Sequence, residues 1–300
     1  MSWLPFALAA PLLFGSTNFI DKFLIQKRVK DPIALTMIGG ITGLVAGLIF
    51  FAINGRGGVD GRSIFILLIS GALFQFALIP YYWSLEQEDT SRIVPLFQVI
   101  PILTLVLSAI FLGEHLLPRQ FIGFCIILVG GIAVSLERGA RGMLRVRKAF
   151  WWMMLSSLLY TLPIIMFKSV STTDDFWHSL AFESLGSACG AIVLACVPRY
   201  RKRFFAAIRN THVGTWAPIG LNELMDLGGR MALFFASTLA PLALVTVVGA
   251  IQPLFVLLIG LGLTVFFPRI LKEDIRNKVI ALKVAAALIV LVGIIVMSTV

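Results

Sequence analysis

Of 300 residues, 59% are apolar and only 13% charged, so repeated membrane spans would use up the chain and exclude an added soluble domain. The net charge of +10 would suggest nucleic acid in a soluble protein; in an apolar chain it reads as basic loops against an anionic leaflet. Three cysteines, Cys125, Cys189 and Cys196, form no CxxC pair and read as small packing residues rather than metal or disulfide sites.

Uncharged stretches recur along the chain: Met1 to Ile20, Pro32 to Gly55, Ser63 to Leu85 and Ile93 to Gly113. A helix needs about 20 apolar residues to cross a bilayer core. Spans are expected at 3–21, 33–54, 64–85, 93–112, 120–136, 149–167, 176–197, 216–239, 242–267 and 280–299. The fifth is short. The alternating ten-residue strands of a membrane barrel are absent, which leaves helices. The first stretch lacks a basic flank and reads as an uncleaved span.

Ten spans put both termini on one side. Connections on that side carry Arg56, Arg62, Arg119 and Lys168; those on the other carry 20 basic residues, with Arg230 inside a span. Because Lys and Arg stay preferentially in the cytoplasm, this bias predicts extracytoplasmic termini.

The halves echo each other. Ile100-Pro101-Ile102-Leu103 in the fourth span matches Gln252-Pro253-Leu254-Phe255 in the ninth. Aligning Phe14 on Tyr160 puts Lys22 on Lys168, and Gly130-Gly131 has a counterpart at Gly293. Five spans per half force the second copy to insert upside down. The expected fold is therefore an all-α membrane protein with ten transmembrane helices as two inverted five-helix repeats, 1–136 and 149–300, as in alternating-access transporters.

Ser91-Arg92-Ile93-Val94-Pro95 through Phe111-Leu112-Gly113-Glu114, then Gln120-Phe121-Ile122-Gly123 and Gly130-Gly131, resembles the EamA domain, the repeat unit of the drug/metabolite transporter superfamily. Phe14-Gly15-Ser16-Thr17-Asn18-Phe19 is similar to that family's first helix. The second copy departs, with Phe267-Pro268-Arg269 in place of the Gly-Glu corner. The resemblance implies two EamA domains, ten helices, a central cavity and export or exchange of small metabolites; no cofactor is expected. It also implies cytoplasmic termini, against the charge bias.

Ionisable groups within spans need a partner or a wet cavity. The eighth span holds Asn222, Glu223, Asp226 and Arg230; steps of three and four place the last three on one face. Asp226 and Arg230 suit a pair, leaving Glu223 as a surplus acid. Glu183 shares a stripe with Ser179, Gly186 and Gly190, and is expected with Glu223 and Arg230 on one aqueous cavity. Lys22 and Lys168 read either as snorkelling to headgroups or as gate-side cations for an anionic substrate. Gln98 and Gln252 lie near Pro95, Pro101 and Pro253, which are expected to kink their helices and free carbonyls. Tyr81, Tyr82 and Trp83 read as belt aromatics or as stacking surfaces for a substrate, His178 as interfacial, and Gly39, Gly43 and Gly47 as helix packing. Glu86-Gln87-Glu88-Asp89 with Arg92 reads as a solvated turn or a gate lock.

No HExxH, nucleophile elbow or phosphate loop appears, so no enzyme is expected. The expected function is secondary transport of a small metabolite by alternating access, driven by a gradient of protons or of the substrate itself, in the cell (inner bacterial) membrane. The rivals are a flippase for a lipid-linked or polyprenyl-phosphate species, and a non-transporting scaffold or receptor. Expected partners are the small-molecule or lipid-linked substrate and membrane lipids, with no nucleic acid.

Overall fold

A computed structural model describes residues 2–135, 148–266 and 285–296, apart from 56, 89, 173, 174, 286 and 287. Among the described residues the chain is all helical. In order come α1 (Leu4–Phe23), α2 (Pro32–Asn54), α3 (Gly61–Gln87), α4 (Thr90–Ile93), α5 (Val99–Leu112), α6 (Pro118–Ser135), α7 (Lys148–Val170), α8 (Phe176–Cys196), α9 (Pro198–Asn210), α10 (Trp216–Leu239), α11 (Leu242–Val248) and α12 (Gln252–Phe266). A further helix runs over 288–296. Among the described residues six stretches are long and apolar enough to cross a bilayer: Leu4–Arg28, Pro32–Asn54, Gly61–Gln87, Lys148–Val170, Phe176–Cys196 and Leu242–Gly260. Shorter apolar helices run over Leu96–Leu112 and Pro118–Gly130. This is a multi-pass integral membrane protein. Its outer faces carry exposed apolar side chains such as Val45, Ile49, Ile110 and Ile192, which suit lipid.

Helix ends follow local chemistry. Asp31 accepts from Ala34 N (3.1 Å) at the start of α2, and Asp60 accepts from Arg62 N (3.1 Å) and Ser63 N (3.3 Å) at the start of α3. The Ser63 hydroxyl first, and then those amides, hold the Asp60 carboxyl, outside the spans, below the ordinary carboxylate range. Gly113 ends α5 at φ +65°, where a side chain would strain the backbone.

The connection expected as a basic loop over 199–209 is instead α9. Its Phe204 is buried, and its Arg203 Nε lies 2.7 Å from Asp31 Oδ2. Charge density masked a one-sided apolar pattern there. The first span also runs past its expected end, through a π turn at Leu24–Arg28. Residues 138–147 of the basic connection expected over Arg138–Lys148, the connection Arg269–Lys283, the Phe267-Pro268-Arg269 corner and most of the tenth span lie outside the described residues, as do Asp89 and the Arg92 side chain.

Two of the spans are broken. A 3-10 segment, Val94–Gln98, precedes α5, and another, Gly249–Ile251, joins α11 to α12. Pro101 and Pro253 follow closely; lacking N–H groups, they cannot bond the carbonyls four residues back. The breaks meet: Gln98 Nε2 donates to Ala250 O at 3.2 Å.

Glycine fixes the tightest packing. α2 lies along α8, and α8 along α3. A Cβ at Gly43 would sit 2.8 Å from Ser184 O, and Gly47 abuts Leu185. A Cβ at Gly71 would overlap Glu183 O, and one at Gly186 would overlap Leu68 O. Serines tie α3 to α7: Ser70 Oγ donates to Pro163 O (3.0 Å) and Ser156 Oγ to Ala77 O (2.9 Å). Gly293 abuts Ile127, setting the 288–296 helix against α6.

Candidate functional site

α10 runs 24 residues, about 36 Å, enough to cross a bilayer despite its polar content. Leu221 and Leu224 are exposed on one side, while Asn222, Glu223 and Arg230 are buried on the other. Its buried side meets α1, which presents Phe14, Thr17, Asn18 and Asp21 at helical spacing. α3, the two helix breaks and Tyr160 of α7 complete a cavity of about 100 Å³, room for roughly three waters at liquid density.

Three carboxylates line it: Asp21, Glu223 and Asp226, with Arg230 as the one lysine or arginine among them. Arg230 is committed elsewhere. Its Nε is 3.2 Å from Asp226 Oδ2 and its Nη1 is 3.4 Å from Glu183 Oε1 and 3.2 Å from Ser187 Oγ. The guanidinium also lies over the Phe74 ring, 4.7 Å from its centre.

Asp21 is the end point of a directed chain of donors. Gln252 Nε2 donates to Asn18 Oδ1 (2.8 Å), Asn18 Nδ2 to Tyr81 Oη (2.8 Å), and Tyr81 Oη to Asp21 Oδ2 (3.1 Å). Tyr82 Oη (3.3 Å) and Asn222 Nδ2 (2.8 Å) donate to Asp21 Oδ1. Glu223 reaches over Gly39 of α2, where a Cβ would stand 3.3 Å from its Oε2. So Gly39 admits a side chain of α10, whereas Gly43 and Gly47 admit α8. Among the described residues no Lys or Arg lies within 4.0 Å of Asp21 or Glu223.

Of the residues expected to form a site, Asn222, Glu223, Asp226, Arg230, Gln98 and Gln252 meet at this cavity. Glu183, expected on its wall, stands behind Arg230 with no exposed surface, because the small residues of α3 and α8 close over it. Lys22 is at the rim of α3, donating to Leu85 O (2.9 Å) and Glu88 O. Lys168 pairs with Glu114 (2.5 Å) and donates to Ala240 O (2.5 Å), while Glu114 accepts from Leu242 N (2.7 Å). Both lysines thus cap helix C-termini, where carbonyls are unpaired. Trp83 packs edge-on against Trp152 at 4.7 Å, away from the cavity. Sequence reasoning missed Asp21, which looked like the polar end of a span beside Lys22. The spacing Phe14, Thr17, Asn18, Asp21 was the available signal. Tyr81 and Tyr82 are buried at the site rather than set in an interface belt.

Known proteins match this chain in three ways. Residues 1–136 match the EamA-like transporter family. A protein of Methanocaldococcus jannaschii described as "Uncharacterized protein MJ1333.1" is 27% identical over 131 residues, 43% of this chain and 93% of its own length. A solved structure, described only as "Crystal structure of protein", superposes with a TM-score of 0.65 at 15% identity, over 97% of this chain and 98% of its own; it speaks for the fold alone. Residues 1–136, which contribute Asp21, the tyrosines of α3 and Gln98 to the cavity, are thus the part of the chain that is similar to the EamA-like transporter family.

Proposed function

We propose that the chain is a ten-helix secondary transporter of two inverted repeats, 1–136 and 149–300, moving a small metabolite by alternating access. One observation carries the reading: carboxylates without cationic partners surround a cavity where two broken helices meet. Repeat-related pairs support it. Lys22 at the end of α1 caps α3, and Lys168 at the end of α7 caps α10. α3 packs on α7 as α10 packs on α1, and α5 on α7 as α12 on α1. One pair breaks the pattern: α3 lies along α8, but α10 has no comparable seam with α2. An exchange of those two arrangements would turn the cavity to the other face.

Glu223 is the proposed proton carrier, since an acid without a cationic partner in a low-dielectric site can exchange protons with substrate movement. In reconstituted vesicles Glu223→Gln should keep substrate exchange and lose uphill movement driven by a pH gradient; accumulation at the wild-type level would make Glu223 structural. Both termini are proposed to be extracytoplasmic, so a C-terminal reporter that fluoresces only in the cytoplasm should stay dark. The acid excess disfavours a polyprenyl-phosphate headgroup, and the unpaired carboxylates disfavour a dry scaffold.

A further inference from the structure

Hydrogen-bond direction constrains what can occupy the cavity. The side-chain amide donors of Asn18, Gln98, Asn222 and Gln252 are each used on a protein acceptor. Their orientations are fixed by those acceptors: turning Asn222 would set its carbonyl against the Asp21 carboxylate, and turning Gln98 would set carbonyl against carbonyl. What these amides leave unused is acceptor capacity. Asn222 Oδ1 and Gln98 Oε1 are buried with no partner among the described residues, and both side chains line the cavity. Buried acceptors of this kind are costly unless something donates to them. Asp21 and Glu223 add two acidic groups with no Lys or Arg within 4.0 Å among the described residues, and Arg230 is ion-paired with Asp226 and Glu183 and donates to Ser187. One wall is a ladder of rings, with Phe97 centred 5.6 Å from Tyr81 and 5.8 Å from Tyr160. Such faces attract cations and stack on planar guanidinium groups.

We propose that the cavity takes a small organic cation bearing N–H donors, a primary ammonium or guanidinium compound, bound by Asp21 and Glu223 and by the amide oxygens of Asn222 and Gln98. The inference rests on the transport reading in assigning this ligand as the substrate. The cavity volume of about 100 Å³ restricts it to a few heavy atoms in this conformation. A quaternary ammonium ion satisfies the charge and the rings but leaves both amide oxygens unmet. A carboxylate or phosphate would face three acids and an arginine already paired.

Binding to the full-length protein in nanodiscs tests this, with methylguanidinium, propylammonium, tetramethylammonium and propionate as probes. The first two should bind at least tenfold more tightly than tetramethylammonium, and propionate should not compete. Asp21→Asn should weaken cation binding tenfold or more. Gln98→Met, which keeps the shape and removes the free oxygen, should erase much of the preference over tetramethylammonium; it guards against misfolding of the Asp21 variant. Tighter binding of propionate, equal binding of tetramethylammonium, indifference to Gln98→Met, or no binding of any cation would each overturn the assignment. Counterflow in vesicles separates the two readings. If methylguanidinium binds in this pattern but is not exchanged, the ligand class stands and transport falls. If propionate is exchanged and no cation binds, transport stands and the ligand class falls.

Discussion

The α3–α8 seam and the α1–α10 wall both bury carboxylates, yet they use them in opposite ways. At the seam Glu183 has no exposed surface, glycines bring backbones into contact, and the acid faces Arg230 beside Ser187. At the wall Asp21 and Glu223 border open volume, with hydroxyl, amide and glycine neighbours instead of cations. The contrast teaches that an intramembrane acid cannot be assigned a role by its charge. The space beside it, and whether its counterion is already in place, separate a strut from a ligand site.

The comparison can be broken most forcefully at the seam. Glu183→Leu should destabilise the fold by about 3 kcal/mol, because it removes one of two acids facing a buried arginine; denaturant unfolding in micelles measures this, and a neutral result would dissolve the contrast. Gly71→Ala should cost a similar amount, on the order of 3 kcal/mol, since its Cβ has no room against Glu183 O. Glu114→Gln, at the clamp on Lys168, is expected to cost about 2 kcal/mol by leaving a half-buried ammonium unpaired. Glu223→Gln at the wall should change unfolding by less than about 1 kcal/mol while altering function. Asp60→Ala is the surface reference. Its carboxyl is held low by the Ser63 hydroxyl and by backbone amides, so its small contribution should be present above the unfolded-state pKa and fade as pH falls through the lower folded-state value. A pH series of melting temperatures for this variant and wild type should converge at acid pH.

Much of the architecture was legible because lipid imposes length. Long apolar stretches marked α1, α2, α3, α7 and α8 to within a few residues, and matching prolines marked the two breaks. The α10 cluster was legible because Glu223, Asp226 and Arg230 repeat at helical steps. Asp21 was hidden by position: at the end of an uncharged run, next to Lys22, a site acid and a loop acid look alike. Glu183 was legible as protein-facing, but not as the partner of an arginine 47 residues away, since sequence spacing carries no information across helices. α9 escaped notice because five basic residues hid the apolar side carrying Phe204.

Carboxyl footprinting of the protein in nanodiscs, read by peptide mass spectrometry, tests the division between strut and site most directly. A water-soluble carbodiimide with an amine should modify Asp21 and Glu223, spare Glu183, and be blocked at the first two by methylguanidinium. Modification of Glu183 at a rate equal to that of Glu223, or no reaction at Asp21 and Glu223 in folded protein, would contradict the account.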